Sequence, residues 1–251
     1  MKETHLFYTP ELPDGVHELP PEEAGHAIRV LRLKEGDMLS LTDGKGNFYD
    51  AHITLASPKH CLFEVVDTHA DTPLWNGQIH LAVAPTKNMD RMEWFVEKAT
   101  EIGVNRITLL DCDNSERHIV KTARLDKIAI SAMKQSHKAF KPIITDMTPF
   151  GSFLQNLPDG QRFIAHCHEA LEQDGQESIH LSRRNFLGDL LAPEQDACVL
   201  IGPEGDFSFS EVERALGNGF TPVSLGESRL RTETAALVAV HLMYLSHRIK
   251  R

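Results

Sequence analysis

A chain of 251 residues holds two modest domains or one large core, and 41% hydrophobic against 25% charged residues, with 16 Gly and 13 Pro, excludes a disordered or fibrous protein. The net charge of −10 argues on its sum against a nucleic-acid partner, because phosphate binding draws on Lys and Arg. The distribution says otherwise: residues 1–72 carry six basic side chains against thirteen acidic ones, whereas 114–142 carry seven (Arg117, Lys121, Arg124, Lys127, Lys134, Lys138, Lys141) against Glu116 and Asp126. That basic stretch is either a solvated helix face or an RNA-facing surface.

The first residues, Met1-Lys2-Glu3-Thr4-His5, contain no apolar signal core, and no apolar run approaches the ~20 residues of a membrane helix, so a cytoplasmic protein without a membrane partner is expected. Cys61, Cys112, Cys167 and Cys198 are scattered singly, which suggests neither a disulfide framework nor a zinc knuckle, and each is expected to be a small buried residue. Up to about residue 70 the chain reads as β-rich, with alternating runs Met38–Leu41 and Ala51–Leu55 separated by the turn Asp43-Gly44-Lys45-Gly46-Asn47. One helix interrupts it: Pro20-Pro21-Glu22-Glu23 starts the helix, and His26, Ala27, Val30 and Leu31 fall at helical spacing.

The texture changes around Asp71-Thr72-Pro73-Leu74, and a boundary is placed there, giving domains 1–72 and 73–251. Beyond it apolar strands alternate with amphipathic segments, the pattern of an α/β domain with a parallel sheet. Ile79–Ala84 is a strand. Met92, Phe95, Val96, Ala99 and Ile102 mark a helix closed by Gly103, Arg106–Leu110 is the next strand, and Leu125, Ile128, Ala129, Ala132 and Met133 mark a second helix ending before Pro142. Further strands are read near 143–147, 163–166, 198–201 and 223–225, and a last helix from Thr232 to about Arg248. Ligands of such sheets bind outside the carboxyl ends of the strands, so the loops there are the candidates for chemistry.

Two of those loops are distinctive. Ala197–Ile201 runs into Gly202-Pro203-Glu204-Gly205-Asp206-Phe207-Ser208, where glycines permit close backbone approach to a ligand, and Ser208 with Glu211 has capping-box spacing. Ser224-Leu225-Gly226-Glu227-Ser228-Arg229-Leu230-Arg231-Thr232-Glu233-Thr234-Ala235 leads into an Ala-rich helix that Thr232 is placed to cap, with Arg231 and Glu233 of opposite charge beside its start. Taken singly, each is also readable as an ordinary strand-to-helix turn, the second with a surface ion pair between Arg231 and Glu233. His166-Cys167-His168 lacks a third ligand at metal-site spacing, and no metal is expected. No Gly-x-Gly-x-x-Gly follows an early strand, which disfavours a nicotinamide dehydrogenase.

In combination, Ile201–Gly205 and Ser224–Ala235 resemble the 16S ribosomal RNA uracil-N3-methyltransferases of the SPOUT superfamily, whose signature joins IGPEG-type and SLG…LRTETA-type segments. The resemblance extends to 87–104, to Gln135-Ser136, and to His26…Val30-Leu31-Arg32…Gly36-Asp37, and so spans nearly the whole chain. Asp206 departs from it, standing where the family usually has glycine, and so do Ser228-Arg229, Lys134 and Lys138.

The resemblance implies an N-terminal PUA-like β-barrel that places RNA, a C-terminal trefoil-knot methyltransferase domain, a homodimer, 16S ribosomal RNA or the small subunit as partner, and S-adenosylmethionine as cofactor. It places the donor among His166, Leu200, Ile201, Gly202, Pro203, Glu204, Gly205, Leu225, Gly226, Leu230, Arg231, Thr232, Thr234 and Ala235. Arg231 is the candidate for stabilising charge on the uracil oxygens, and Glu204 or Glu233 the candidate proton acceptor. Arg29, Arg32, Lys87, Arg91, Arg117, Lys121, Lys134 and Lys138 are candidate RNA contacts. The competing readings are a SPOUT enzyme acting on another RNA atom, such as a ribose hydroxyl or a guanine nitrogen, and a catalytically weak RNA-binding assembly factor.

Overall fold

The computed structural model describes residues 5–71, 76–168 and 185–248. Its residues group into two units, 1–74 with 129–141 and 75–128 with 142–251. Part of the expected boundary, Thr72–Leu74, lies outside the described residues.

In the first unit, strands β1 (Leu6–Tyr8), β2 (Met38–Thr42), β3 (Asn47–Ala56) and β4 (Cys61–Ala70) form one sheet in that order. The β1–β2 pair is parallel and the other two pairs antiparallel. Alternation decides which side chains enter the core: Leu39 and Leu41, then Tyr49, Ala51 and Ile53, then Cys61 and Phe63 all join one cluster with Phe7 and Leu19. The β2–β3 hairpin turns where Asp43–Asn47 predicts it. Asp43, 1% exposed, accepts hydrogen bonds from the Lys45 and Asn47 N–H groups, the Asn47 amide and the Tyr49 hydroxyl. Burial alone raises the pKa of this carboxyl, and the donors around it, Asn47 foremost, outweigh burial and hold it below its usual value. Gly46, at φ +113°, lies so close to Phe140 that a Cβ there would come within 2.6 Å of the ring.

Helix α1 (Pro21–Gly25) begins at the predicted prolines but continues as a π-helical turn over His26–Val30, closed by the Leu31 N–H on the His26 carbonyl at 3.1 Å. The wider turn rotates the apolar face. Ala24 and Ala27 are buried, Ile28 and Leu31 pack against the core, and Val30, expected inside, is 65% exposed.

The second unit carries a sheet whose described strands run β7–β6–β5–β10–β8–β11–β9, every pair parallel. These are β5 (Ile79–Val83), β6 (Arg106–Asp111), β7 (Ile143–Pro149), β8 (Gln161–Ala165), β9 (Asn185–Phe186), β10 (Ala197–Ile201) and β11 (Thr221–Ser224). Strands β5 and β10 are buried at every residue, as expected of central strands covered on both faces. Ala82, Cys198 and Leu200 face a cluster with Phe150, Phe153 and Leu154 of α4 (Phe150–Gln155) and Val212 and Ala215 of α6 (Phe209–Gly217). The opposite face meets α7 (Thr232–Arg248), which packs in turn on α2 (Met89–Ile102) and α5 (Leu187–Leu190).

Helix α2 follows its periodicity, burying Met92, Phe95, Val96 and Ala99, with Asn88 as N-cap and Gly103 in the left-handed region at its end. Helix α3 (Thr122–Gln135) likewise buries Leu125, Ala129, Ala132 and Met133. No described helix is long and apolar enough to cross a membrane.

Candidate functional site

Because the strands of the second sheet are parallel, the loops leaving their carboxyl ends gather along one edge, and the Gly202–Asp206 turn leaves the central strand β10. The turn closes on itself through the Asp206 N–H and the Pro203 carbonyl at 3.0 Å. Gly202 packs tightly there, since a Cβ would stand 3.1 Å from the Phe207 backbone nitrogen and 3.0 Å from its ring, and Phe207 would have to give way. The predicted capping box is present: the Ser208 hydroxyl accepts from the Glu211 N–H and the Glu211 carboxylate from the Ser208 N–H. Glu211, 1% exposed, also accepts from the Asp113 N–H at 3.0 Å, which ties the loop after β6 to α6.

The turn is fastened to three neighbouring loops. Glu204 Oε1 accepts the Lys87 N–H of the loop after β5 at 2.9 Å. Asn114, on the loop after β6, donates its side-chain amide to the carbonyls of Asp206 at 3.1 Å and Gly205 at 3.4 Å. Asp206 Oδ2 accepts the Cys167 N–H of the loop after β8 at 2.7 Å. His168 of that last loop meets the Phe207 carbonyl through Nε2 at 2.6 Å and stacks on Phe209 with ring centroids 4.3 Å apart. His166 is buried, whereas Cys167 is exposed, a correction to the expectation of four buried cysteines. It sits just beyond the end of β8, where alternation no longer turns side chains into the core. Cys61, Cys112 and Cys198 are buried, and burial raises the pKa of each, so they remain neutral thiols.

The third candidate loop turns at Gly226, φ +129°, where the Ser224 hydroxyl accepts the Gly226 N–H at 3.1 Å. Leu225 and Leu230 are half-buried and Arg231 is exposed. The first bond of α7 runs from the Ala235 N–H to the Arg231 carbonyl at 2.8 Å, which puts Arg231 rather than Thr232 at the capping position. Thr232 is buried inside the first turn, and Thr234 and Ala235 are half-buried. The Arg231–Glu233 ion pair is not formed. Glu233, 7% exposed, faces Arg91 of α2 instead, Oε1 to Nε at 3.7 Å, while its Oε2 is buried without a hydrogen-bond partner among the described residues.

A buried carboxylate oxygen without a donor is destabilising unless a ligand supplies one. S-adenosylmethionine carries a cationic ammonium and a sulfonium, so an acidic group with a buried, unpartnered oxygen fits such a ligand in chemistry. Among the described residues no group of three or more His, Cys, Asp or Glu gathers to hold a metal.

The candidate RNA contacts divide by environment. Arg29, Arg32 and Lys121 are exposed, Arg32 in the left-handed region at φ +58°, and Lys138 is half-buried. Lys87 is exposed with its ammonium 3.3 Å from Glu116. Arg117 is half-buried and donates to the Lys87 carbonyl at 2.6 Å, and Lys134 pairs with Glu23. Arg91 faces Glu233 as described. Asn114 and Asp113 carry no signal in the sequence, whereas Glu211 is marked there by its capping-box spacing from Ser208.

Comparison with known proteins bears directly on these loops. An RNA methyltransferase domain model matches residues 73–244 and an RNA methyltransferase PUA domain model residues 19–66. The chain is 28% identical over 233 residues to a ribosomal RNA small subunit methyltransferase E of Bacillus subtilis, covering 87% of this chain and 86% of that protein. A crystal structure of a probable rRNA-methyltransferase from Porphyromonas gingivalis superposes with a TM-score of 0.88 at 46% identity, over 97% of this chain and 98% of that one. The ribosomal RNA small subunit methyltransferase E of Neisseria gonorrhoeae bound to S-adenosyl methionine gives 0.81 at 26% identity, over 98% of both chains. Matched through most of its length, the chain belongs to the RNA methyltransferase family with a PUA domain, the SPOUT-class 16S ribosomal RNA uracil-N3-methyltransferases that its paired C-terminal loops resemble.

Proposed function

We propose that this chain methylates N3 of a uridine in 16S ribosomal RNA, with S-adenosylmethionine as donor. The observation that carries the reading is the fastening of the Gly202–Asp206 turn to the loops after β5, β6 and β8, which fixes glycine-rich backbone at the carboxyl edge of the sheet before any ligand arrives. S-adenosylmethionine supplies an electrophilic methyl group on its sulfonium, so the protein's task is alignment, exclusion of water and handling of one proton.

In this reading the backbone of 202–205 and 225–235 and the loop at His166 hold the adenosine part, with Leu200 and Ile201 beneath. Glu233 lies 3.7 Å from Arg91 through Oε1, and its Oε2, without a partner among the described residues, accepts from the donor's ammonium. That makes Glu233 a better cation ligand than a base. Glu204, exposed with one oxygen engaged by the Lys87 N–H, is left as the candidate acceptor of the N3 proton. Arg231, exposed at the head of α7 and without a carboxylate partner among the described residues, suits the uracil oxygens, which gain negative charge as N3 loses its proton.

Residues 1–72 serve as the RNA-placing domain and 73–251 as the catalytic one, with Arg29, Arg32, Lys121 and Lys138 on phosphates. Lys87, Arg91, Arg117 and Lys134, each engaged within the protein, hold loops and helices in place. The working state is a cytoplasmic homodimer, which sedimentation at micromolar concentration tests. The deciding experiment is transfer of radiolabelled methyl from S-adenosylmethionine to small ribosomal subunits lacking the modification, followed by nucleoside analysis. Labelled N3-methyluridine is expected. Label in another nucleoside overturns the target atom, and donor binding without transfer overturns the enzyme reading.

A further inference from the structure

We propose that Asp206 is a positioning residue for the methyl donor, its carboxylate holding the loop after β8 at a fixed distance from the Gly202–Gly205 turn. The proposal rests on the reading above that these two loops hold the donor's adenosine part. The resemblance leads one to expect glycine at 206, and the backbone explains why: its φ is +65°, a conformation glycine adopts without strain and Asp or Asn tolerates better than other residues. Here the aspartate takes up the glycine conformation and adds two acceptors. Oδ2 accepts the Cys167 N–H at 2.7 Å and Oδ1 the Phe207 N–H at 2.8 Å, so one carboxylate spans two segments 39 residues apart in sequence.

His168 reinforces the junction from the same loop, its Nε2 2.6 Å from the Phe207 carbonyl and 3.9 Å from Asp206 Oδ2. Asn114, on the loop after β6, donates to the Asp206 carbonyl at 3.1 Å. With glycine at 206 the turn would keep its shape and the loop after β8 would lose its main-chain anchor to it. The carboxylate therefore replaces loop freedom, which donor binding must otherwise remove, with order already present in the free protein. Charge sharpens the point: an anion on two backbone N–H groups is a stronger tether than a neutral acceptor.

The test uses the full chain and the product analogue S-adenosylhomocysteine in calorimetry, with wild type, Asp206→Gly and Asp206→Asn. Glycine accepts the backbone conformation. Asparagine keeps shape and conformation but turns one of the two acceptors into a donor facing an N–H. Both variants are expected to weaken the analogue roughly tenfold, the loss of about one hydrogen bond's free energy. The KM for S-adenosylmethionine rises in step, while kcat at saturating donor and the KM for RNA stay at wild-type values. A purely structural role lowers the melting temperature and leaves this split absent. Affinity within about twofold of wild type in both folded variants overturns the proposal. Should Asp206→Gly fail to fold, Asp206→Asn decides alone. Wild-type protein that binds no donor overturns instead the functional reading on which the proposal rests.

Discussion

Arg231 and Gly205 test the site from its two sides. Arg231 is exposed at the head of α7, and the carboxylate expected to hold it, Glu233, is turned to Arg91. Arg231→Ala is therefore expected to lower kcat about a hundredfold, the scale of losing one donor to developing oxyanion charge, while calorimetric affinity for the donor stays unchanged. A change in donor affinity with kcat preserved reassigns Arg231 to binding. Gly205 sits where a Cβ would stand 3.2 Å from the Cβ of Asn114. Gly205→Val adds two further methyl groups at that contact, pushing away the amide that holds the turn. Donor affinity should fall with the circular dichroism spectrum intact, and unchanged affinity removes Asn114 from the site's support. At this scale the sequence was only half legible: glycine and capping chemistry announce themselves by spacing, but partners do not. Nothing in the order of residues pairs Glu233 with Arg91, or Asp206 with the Cys167 N–H, because those contacts join segments that are far apart along the chain.

Among the elements, those with a full period were legible and the short ones were not. Helices α2 and α3 bury the residues their spacing marks, whereas the π turn after α1 has no periodic signature and carried Val30 outward against expectation. Helix α4 and the two-residue β9 lie below the length at which a pattern shows. Neighbouring strands also create chemistry that neither holds alone. His80 on β5 stands in register with Arg106 on β6, contacts Thr108 through Nε2 at 2.9 Å, and is 8% exposed. Burial first, and then the Arg106 charge, lower its pKa to about 4.

The unfolded chain therefore binds a proton at His80 that the folded chain refuses between pH 6.5 and about 4. Stability from keeping this histidine neutral is complete above pH 6.5 and is lost as pH falls through that window, by about 3 kcal/mol at most. Urea titrations at pH 7.5 and 4.5 should show a large acid loss in wild type and a smaller one in His80→Gln. Equal losses assign the acid sensitivity elsewhere, with His247, whose pKa burial also lowers, as the next group to replace.

For the molecule as a whole, the −10 net charge is a poor guide and its distribution a better one. The basic stretch does not act as a unit, since Arg117 and Lys134 are engaged within the protein and Lys121 is exposed. Replacing Lys121 with Gln should weaken RNA binding and reduce the slope of log affinity against log salt by roughly 0.7–0.9, one phosphate contact. An unchanged slope returns that face to solvent. The division into a β-rich first part and a parallel α/β second part was legible in the change of hydrophobic period. That 129–141 groups with the first unit was not, because α3 reads as one uninterrupted helix across the junction.

Strand β10, which sits between β5 and β8, is the latest of the three in the chain. During synthesis β5 and β8 therefore emerge as strands that do not pair with each other in the finished sheet, and the edge each keeps for β10 stays open until residue 201 is made. The ties that fasten the Gly202–Asp206 turn span 117, 91 and 39 residues, and all of them end on 204–206. A nascent chain that stops short of that turn already holds the loops after β5, β6 and β8 but none of the bonds that fasten them together, so this edge of the sheet becomes ordered only once residues 204–206 have been made.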